Sequence, residues 1–321
     1  MANDSLISVE NISRYYGDHP AVKNISFEAK RGEVLGFLGP NGAGKSTTMQ
    51  IITGNLAQTE GRVVINGFDI MDQPKQAKAL LGFLPEQPPL YRELSVDEYL
   101  AFCARINRIP KEKHTTAINN AKERCGLTEV GKRLIGNLSK GYQQRTGIAQ
   151  AIIHSPELVI LDEPTVGLDP IQIREIRNLI RELGKEHSVI LSTHILPEVQ
   201  STCNRVQIIN KGELVMSDTI EGLTQRMSSS SFVIALSKPP APDQIESIPG
   251  VQSTEAIDAN HFRIHHSPEQ NPAEQVVQRA VEASWGLHEL SPERRSLEEI
   301  FVDITCTEKA SEVPPQQGRD A

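Results

Sequence analysis

The chain has 321 residues, of which 23% are charged and 38% hydrophobic, and a formal net charge of −8. That length can bury one large core or two of ordinary size, so disulfide or metal staples are not needed, and the composition excludes wholesale disorder. The acidic balance argues against a nucleic-acid binder driven by phosphate contacts, and no run approaches the ~18 to 20 apolar residues of a membrane-spanning helix.

The opening MANDSLISVENISRYYGD has no basic start followed by an apolar stretch, so it does not read as a secretory signal, and a cytoplasmic protein is expected. If the chain serves a membrane process, another polypeptide spans the membrane. Over residues 5–227, short β-rich runs alternate with helical segments, which predicts an α/β core with a largely parallel sheet. Strands are expected at 5–12, 33–38, 62–65, 80–84, 158–161, 189–192 and 205–210. Between 95 and 151 the pattern turns helical. Ser95 followed by Glu98 in SVDEYLAFCARI reads as a capping box, and a helical subdomain inserted at about 88–151 is expected.

Residues 227–231 end in four serines and read as a linker. Beyond it FVIAL, FRIH and LHEL read as strands, AEQVVQRAVEAS as an amphipathic helix and SLEEIFVDI as a closing helix. Residues 228–305 should therefore form a small α+β domain, and the polar, proline-bearing stretch 306–321 a disordered tail. Cys103, Cys125, Cys203 and Cys306 are widely spread without a CxxC pair, which reads as reduced thiols rather than a zinc site or disulfide framework. His265 and His266 are neighbours on a strand and face opposite ways, so they read as structural. Trp285 should pack the small domain, and the ERR at 293–295 reads as a solvated turn.

The segment running from Gly39 through Pro40, Asn41, Gly42, Ala43, Gly44, Lys45 and Ser46 to Thr47 spells GPNGAGKST and satisfies GxxxxGKS between an apolar strand and a helix. Such a loop turns backbone N–H groups toward phosphate oxygens, and the helix N-terminus adds favourable partial charge. Lys45 would meet the β and γ phosphates of a nucleotide, and the Ser46 hydroxyl would ligate Mg²⁺. On its own this motif leaves GTPases, kinases and many ATPases open. Downstream, LVILDEP places four apolar residues before Asp162 and Glu163, delivering two carboxylates at the end of a buried strand. Asp162 would help hold Mg²⁺, and Glu163 would polarise the attacking water.

With these motifs in order, the chain resembles the ATP-binding cassette family over about residues 5–227. LSKGYQQR at 138–145 resembles the family's signature segment, GLDP at 167–170 its D-loop, and Gln87 in LPEQPPLY its Q-loop glutamine. His194 in STHIL resembles the switch histidine, and Tyr16 stands where an aromatic stacks on adenine. The resemblance implies a P-loop NTPase core of ABC type with an inserted helical subdomain, here followed by the small α+β domain. It also implies ATP sandwiched between two copies of the chain, the P-loop of one facing Ser139 and Gly141 of the other, with Asp169 acting across the dimer. Gln87 is expected to reach Mg²⁺ as well as the nucleotide, and His194 to join Glu163 and Lys45 in catalysis.

Where the common family form reads LSGGQ, this sequence has Lys140 for a glycine and Tyr142 for the glutamine. Lys140 either adds charge near the nucleotide or points to solvent, and solvent is expected. The resemblance implies an ATPase subunit that powers transport, with export favoured, through a separate integral membrane permease. It would lie peripherally on the inner face of the cell membrane and bind no nucleic acid. A soluble ABC ATPase acting on ribosomes or DNA is the alternative, disfavoured by the single cassette and by the lack of a long heptad insertion. The transported substance is not legible, because the cassette need not touch it.

Overall fold

The structure is a computed structural model, described here over residues 5–267 and 270–294. The expected closing helix SLEEIFVDI, Cys306 and the expected tail at 306–321 lie outside the described residues. The chain divides into two compact units between Ile220 and Glu221, earlier than the serine run.

The first unit opens with a hairpin of β1 (Ser5–Tyr16) and β2 (His19–Lys30), followed by β3 (Val34–Leu38) and α1 (Lys45–Ile52). Then come β4 (Glu60–Ile65), β5 (Phe68–Asp69), α2 (Pro74–Ala79) and β6 (Leu81–Leu84). Three longer helices follow: α3 (Val96–Ile106), α4 (His114–Arg124) and α5 (Lys140–Ile152). The chain returns through β7 (Leu158–Asp162), α6 (Pro170–Leu183), β8 (Ser188–Thr193), α7 (Leu196–Thr202), β9 (Arg205–Asn210) and β10 (Glu213–Thr219). One sheet has the order β2-β1-β4-β5 and is antiparallel. The other runs β10-β9-β3-β8-β7-β6, parallel throughout except for β10 at its edge.

Every residue of β3, β7 and β8 is buried, because cover lies on both faces of a parallel sheet. Alternate side chains then enter different cores. Leu35, Phe37, Ile160 and Ile190 pack with α1 and the antiparallel sheet, while Val34, Val159, Leu161 and Leu191 pack with the helices. Each fully buried Leu or Ile contributes roughly 1.5–3 kcal/mol, which holds these three strands firmly in the core of the first unit. The register sets Leu38 beside Thr193 and Ser192 beside Asp162, so β3, β8 and β7 end level with one another.

The capping box is formed: Ser95 Oγ accepts the Glu98 N–H at 3.3 Å, and Glu98 Oε2 accepts the Ser95 N–H at 2.8 Å. The Ser95 hydrogen bonds hold the Glu98 carboxyl below its usual range. Strands β2, β5 and β10 were not legible as strands. In β2, Pro20 and the left-handed Asn24 (φ 49°) interrupt the alternation that marks a strand.

In the second unit, α8 (Ile220–Met227) leads into β11 (Ser228–Leu236), α9 (Pro242–Glu246), β12 (Val251–Ala256), β13 (His261–His266), α10 (Ala273–Glu282) and β14 (Leu287–Arg294). The serine run is therefore not a linker. It begins β11, the strand flanked by β13 and β14 in the antiparallel order β12-β13-β11-β14. Trp285 is buried with Phe232, Ile234, Phe262 and Val276 in a separate core. The 293–295 segment is not a solvated turn at its start, since Glu293 lies in β14 and accepts hydrogen bonds from Ser231 Oγ at 2.6 Å and Arg263 Nε at 2.9 Å. His266 is buried and His265 half-exposed, on opposite faces of β13.

The three described cysteines are free thiols. Burial pushes Cys103 up to about 11 and Cys125 and Cys203 up to about 12, which depletes the reactive thiolate at any pH below those values. Iodoacetamide at pH 8 should leave the peptides bearing these three cysteines unlabelled until denaturant is added. Rapid native labelling, read by mass spectrometry, would contradict their placement.

Candidate active site

The loop after β3 turns back sharply into α1. Gly44 sits at φ 102°, and a Cβ there would lie 2.6 Å from the Ala21 carbonyl oxygen; a Cβ on Gly39 would lie 2.3 Å from that of Ile209. Only glycine fits either place. The loop is pinned by hydrogen bonds from Gly39 N–H to the Thr193 carbonyl (3.3 Å) and from Gly212 N–H to the Ala43 carbonyl (2.9 Å). No side chain caps α1, so its first N–H groups and the positive end of its dipole face the loop's concavity. That is a cradle for an anion.

Lys45 is 5% exposed. Its ammonium donates to the carbonyls of Gly39 (2.8 Å) and Pro40 (3.1 Å) and pairs with Glu163 Oε1 at 3.2 Å. Glu163, also 5% exposed, follows β7 with φ 46°, and its N–H is fixed by Ser192. Its second carboxylate oxygen, Oε2, lies 3.0 Å from His194 Nδ1. The carboxylate is thus held between a cation and an imidazole. Beside it, Ser46 Oγ donates to Asp162 Oδ1 at 3.2 Å, and Ser192 Oγ donates to the same oxygen.

These groups open on a cleft of about 740 Å³ lined by Asn41, Gly42, Gly44, Lys45, Ser46, Thr47, Glu163 and His194. His19, Pro20, Ala21, Glu86, Val166 and Lys211 complete the lining. The anion-binding cradle, buried ammonium and paired carboxylates fit a nucleotide polyphosphate with a hard cation. Ser46 and Asp162 offer the oxygen donors such a cation takes, and Mg²⁺ needs only one or two protein ligands beside phosphates and water. Among the described residues no cluster of three His, Cys, Asp or Glu side chains exists to hold a metal by itself.

Nine expected site residues do not line this cleft: Gly39, Pro40, Ala43 and Asp162, each next in sequence or hydrogen-bonded to a residue that does, and Tyr16, Gln87, Ser139, Gly141 and Asp169. Tyr16 is 51% exposed at the end of β1, with the Arg14 guanidinium 4.9 Å above its ring. Gln87 is exposed in the bend after β6, and its neighbour Glu86 lines the cleft instead. Ser139 caps α5, its Oγ accepting the Tyr142 N–H at 3.5 Å, and Gly141 packs so closely on Gln172 that a Cβ would lie 2.7 Å from it. Asp169 caps α6, accepting the N–H groups of Ile171 (3.0 Å) and Gln172 (2.9 Å). Lys140 is exposed, yet its ammonium lies over the loop at Gly167, 2.1 Å from where a Cβ would stand.

Sequence reasoning did not find Lys211. It holds φ 49° in the turn between β9 and β10, next to the Gly212 that is bonded to the loop. The NKG between two strands is a turn signal, but with β10 unread there was no hairpin to place it in.

A family model described as "ABC transporter" matches residues 22–166. The bacitracin transport ATP-binding protein BcrA of Bacillus licheniformis is 38% identical over 224 residues, 69% of this chain and 72% of BcrA. An uncharacterised ABC transporter ATP-binding protein of Bacillus subtilis, YhcH, is 32% identical over 304 residues, covering 94% of this chain and 96% of YhcH. Among solved structures, cbiO1 from Clostridium perfringens, part of the ABC transporter complex cbiONQ, aligns with a TM-score of 0.63 at 29% identity. That alignment covers 69% of this chain and 91% of cbiO1.

Proposed function

The chain belongs to the ABC transporter family as an ATP-binding protein, and from that membership we propose that it hydrolyses Mg-ATP to power export through a separately encoded membrane permease. The observation that carries this reading is the meeting of Lys45, Glu163 and His194 over an anion-ready loop, with Ser46 and Asp162 alongside. Bound Mg²⁺ would neutralise phosphate charge, with Ser46 and Asp162 as its protein ligands. Glu163 would take up or orient a water proton, with His194 holding its second oxygen. Lys45 and the first N–H groups of α1 would receive phosphate oxygens.

We further infer that a second copy completes the site. Ser139 and Gly141 stand at the start of α5, outside the cleft of their own chain, where a helix N-terminus can meet the phosphate held by a partner copy. Tyr16, Gln87 and Asp169 are proposed to join when that closed dimer forms. The likeness to a bacitracin transport ATP-binding protein supports a role in transport, for which export is the proposed direction.

A permease needs a docking place, and a cavity of about 1150 Å³ in the first unit supports one. It is bounded by α2, the α3–α4 connection and the end of α5. Among the described residues no helix is long and apolar enough to cross a membrane. The test is expression with the permease candidate encoded beside this chain, followed by purification through a tag on the cassette. A hydrophobic partner that stimulates ATP hydrolysis is expected, and Lys113→Glu with Arg108→Glu at the cavity rim should reduce its recovery about tenfold or more. Recovery on ribosomes or DNA alone would overturn the transporter reading.

A further inference from the structure

Glu198, in the first turn of α7, is a carboxylate 1% exposed to solvent, and no part of the reaction described above uses it. Its Oε1 accepts the hydroxyl of Thr165 at 2.7 Å, and its Oε2 accepts the hydroxyl of Thr193 at 2.8 Å. Arg177 of α6 approaches Oε1 at 3.5 Å. Thr193 is the last residue of β8 and immediately precedes His194, while Thr165 lies two residues beyond Glu163 in the loop that runs on to Val166 and Asp169. One buried carboxylate therefore grips both of the segments whose side chains meet as the His194–Glu163 contact.

We propose that Glu198 is a positioning residue that ties the His194 segment to the 163–169 loop, so that neither moves without the other. A buried carboxylate is costly to desolvate, and packing alone would be served as well by an apolar side chain of similar volume. The hydroxyl of Thr193 works in two directions, donating to Glu198 and accepting the Ile195 N–H at 3.1 Å, which fixes the backbone on the far side of His194. On the other arm, the Leu168 N–H returns to the Thr165 carbonyl at 3.2 Å and the Val166 N–H to that of Glu163 at 3.2 Å. The Thr165 hydroxyl thereby fastens a compact turn rather than a single residue. Coupling between two loops is reciprocal, so loosening either arm must loosen the other.

Thr165→Val and Thr193→Val each remove one arm while conserving shape, and both keep the test open if Glu198→Ala fails to fold. Hydrogen–deuterium exchange of the full chain reads the coupling without any reference to catalysis. Thr165→Val should accelerate exchange at 193–195 by about tenfold, and Thr193→Val should do the same at 163–169. The catalytic consequence alone rests on the ATPase reading: each variant should lower kcat for ATP about tenfold, with KM within about twofold. The double variant should lose far less than the product of the single losses, because both act through one carboxylate. Faster exchange confined to the mutated loop, or additive kcat losses, would overturn the proposal. Absent turnover in the wild type with reciprocal exchange intact would instead count against the ATPase reading.

Discussion

Exchanging Glu163 for Gln is expected to slow ATP hydrolysis by on the order of 10²–10⁴-fold while leaving a stable dimer that forms only with Mg-ATP. The amide keeps the side chain's size and one carbonyl oxygen toward its neighbours, but it cannot accept a proton at neutral pH. It also takes a negative charge from beside Lys45, 3.2 Å away, which frees the ammonium for phosphate. The two effects act oppositely: the chemical step stalls and the bound state is favoured. Size-exclusion chromatography with ATP and Mg²⁺ reads the second, and single-turnover hydrolysis reads the first. A Glu163→Gln protein that turns over normally would remove Glu163 from the mechanism. One that stays monomeric with ATP, even beside its permease, would remove the sandwich.

Lys45→Ala should produce the opposite pairing, in which binding and turnover fail together. The lost ammonium leaves phosphate charge uncompensated, and removing one preorganised donor of this kind typically costs on the order of 10²–10³ in rate. Glu163 also loses its buried cationic partner, so its carboxylate faces the cleft with only His194 close by. That negative charge then repels the nucleotide, and weakened ATP affinity should exceed what the missing hydrogen bonds alone predict. Lys45→Ala combined with Glu163→Gln should recover part of the binding but none of the hydrolysis. Equilibrium binding of a fluorescent ATP analogue separates these outcomes, and unchanged affinity in Lys45→Ala would contradict the assignment.

Much of the site was legible because its parts are local. GPNGAGKST needs only consecutive residues between a strand and a helix, and LVILDEP needs only an apolar strand ending in two carboxylates. The buried strands β3, β7 and β8 were legible for a related reason, since burial on both faces leaves unbroken apolar runs. Strands at sheet edges or with bulges gave weaker signals, and β2 and β10 went unread with the Lys211 turn that β10 creates. The serine run was misread because a composition rich in small polar residues does not reveal that β13 and β14 stand ready on either side to pair with it.

Residue identity and short spacing thus determined the P-loop, the acidic pair, the capping box at Ser95 and the family likeness. Tertiary structure alone decided that Ser46 meets Asp162 across 116 positions of sequence, that Glu163 is shared by Lys45 and His194, and that Glu198 joins Thr165 to Thr193. The reason is the sheet: the order β3-β8-β7 and its level register bring three separate strand ends to one place, and neither order nor register is written in any single stretch of chain.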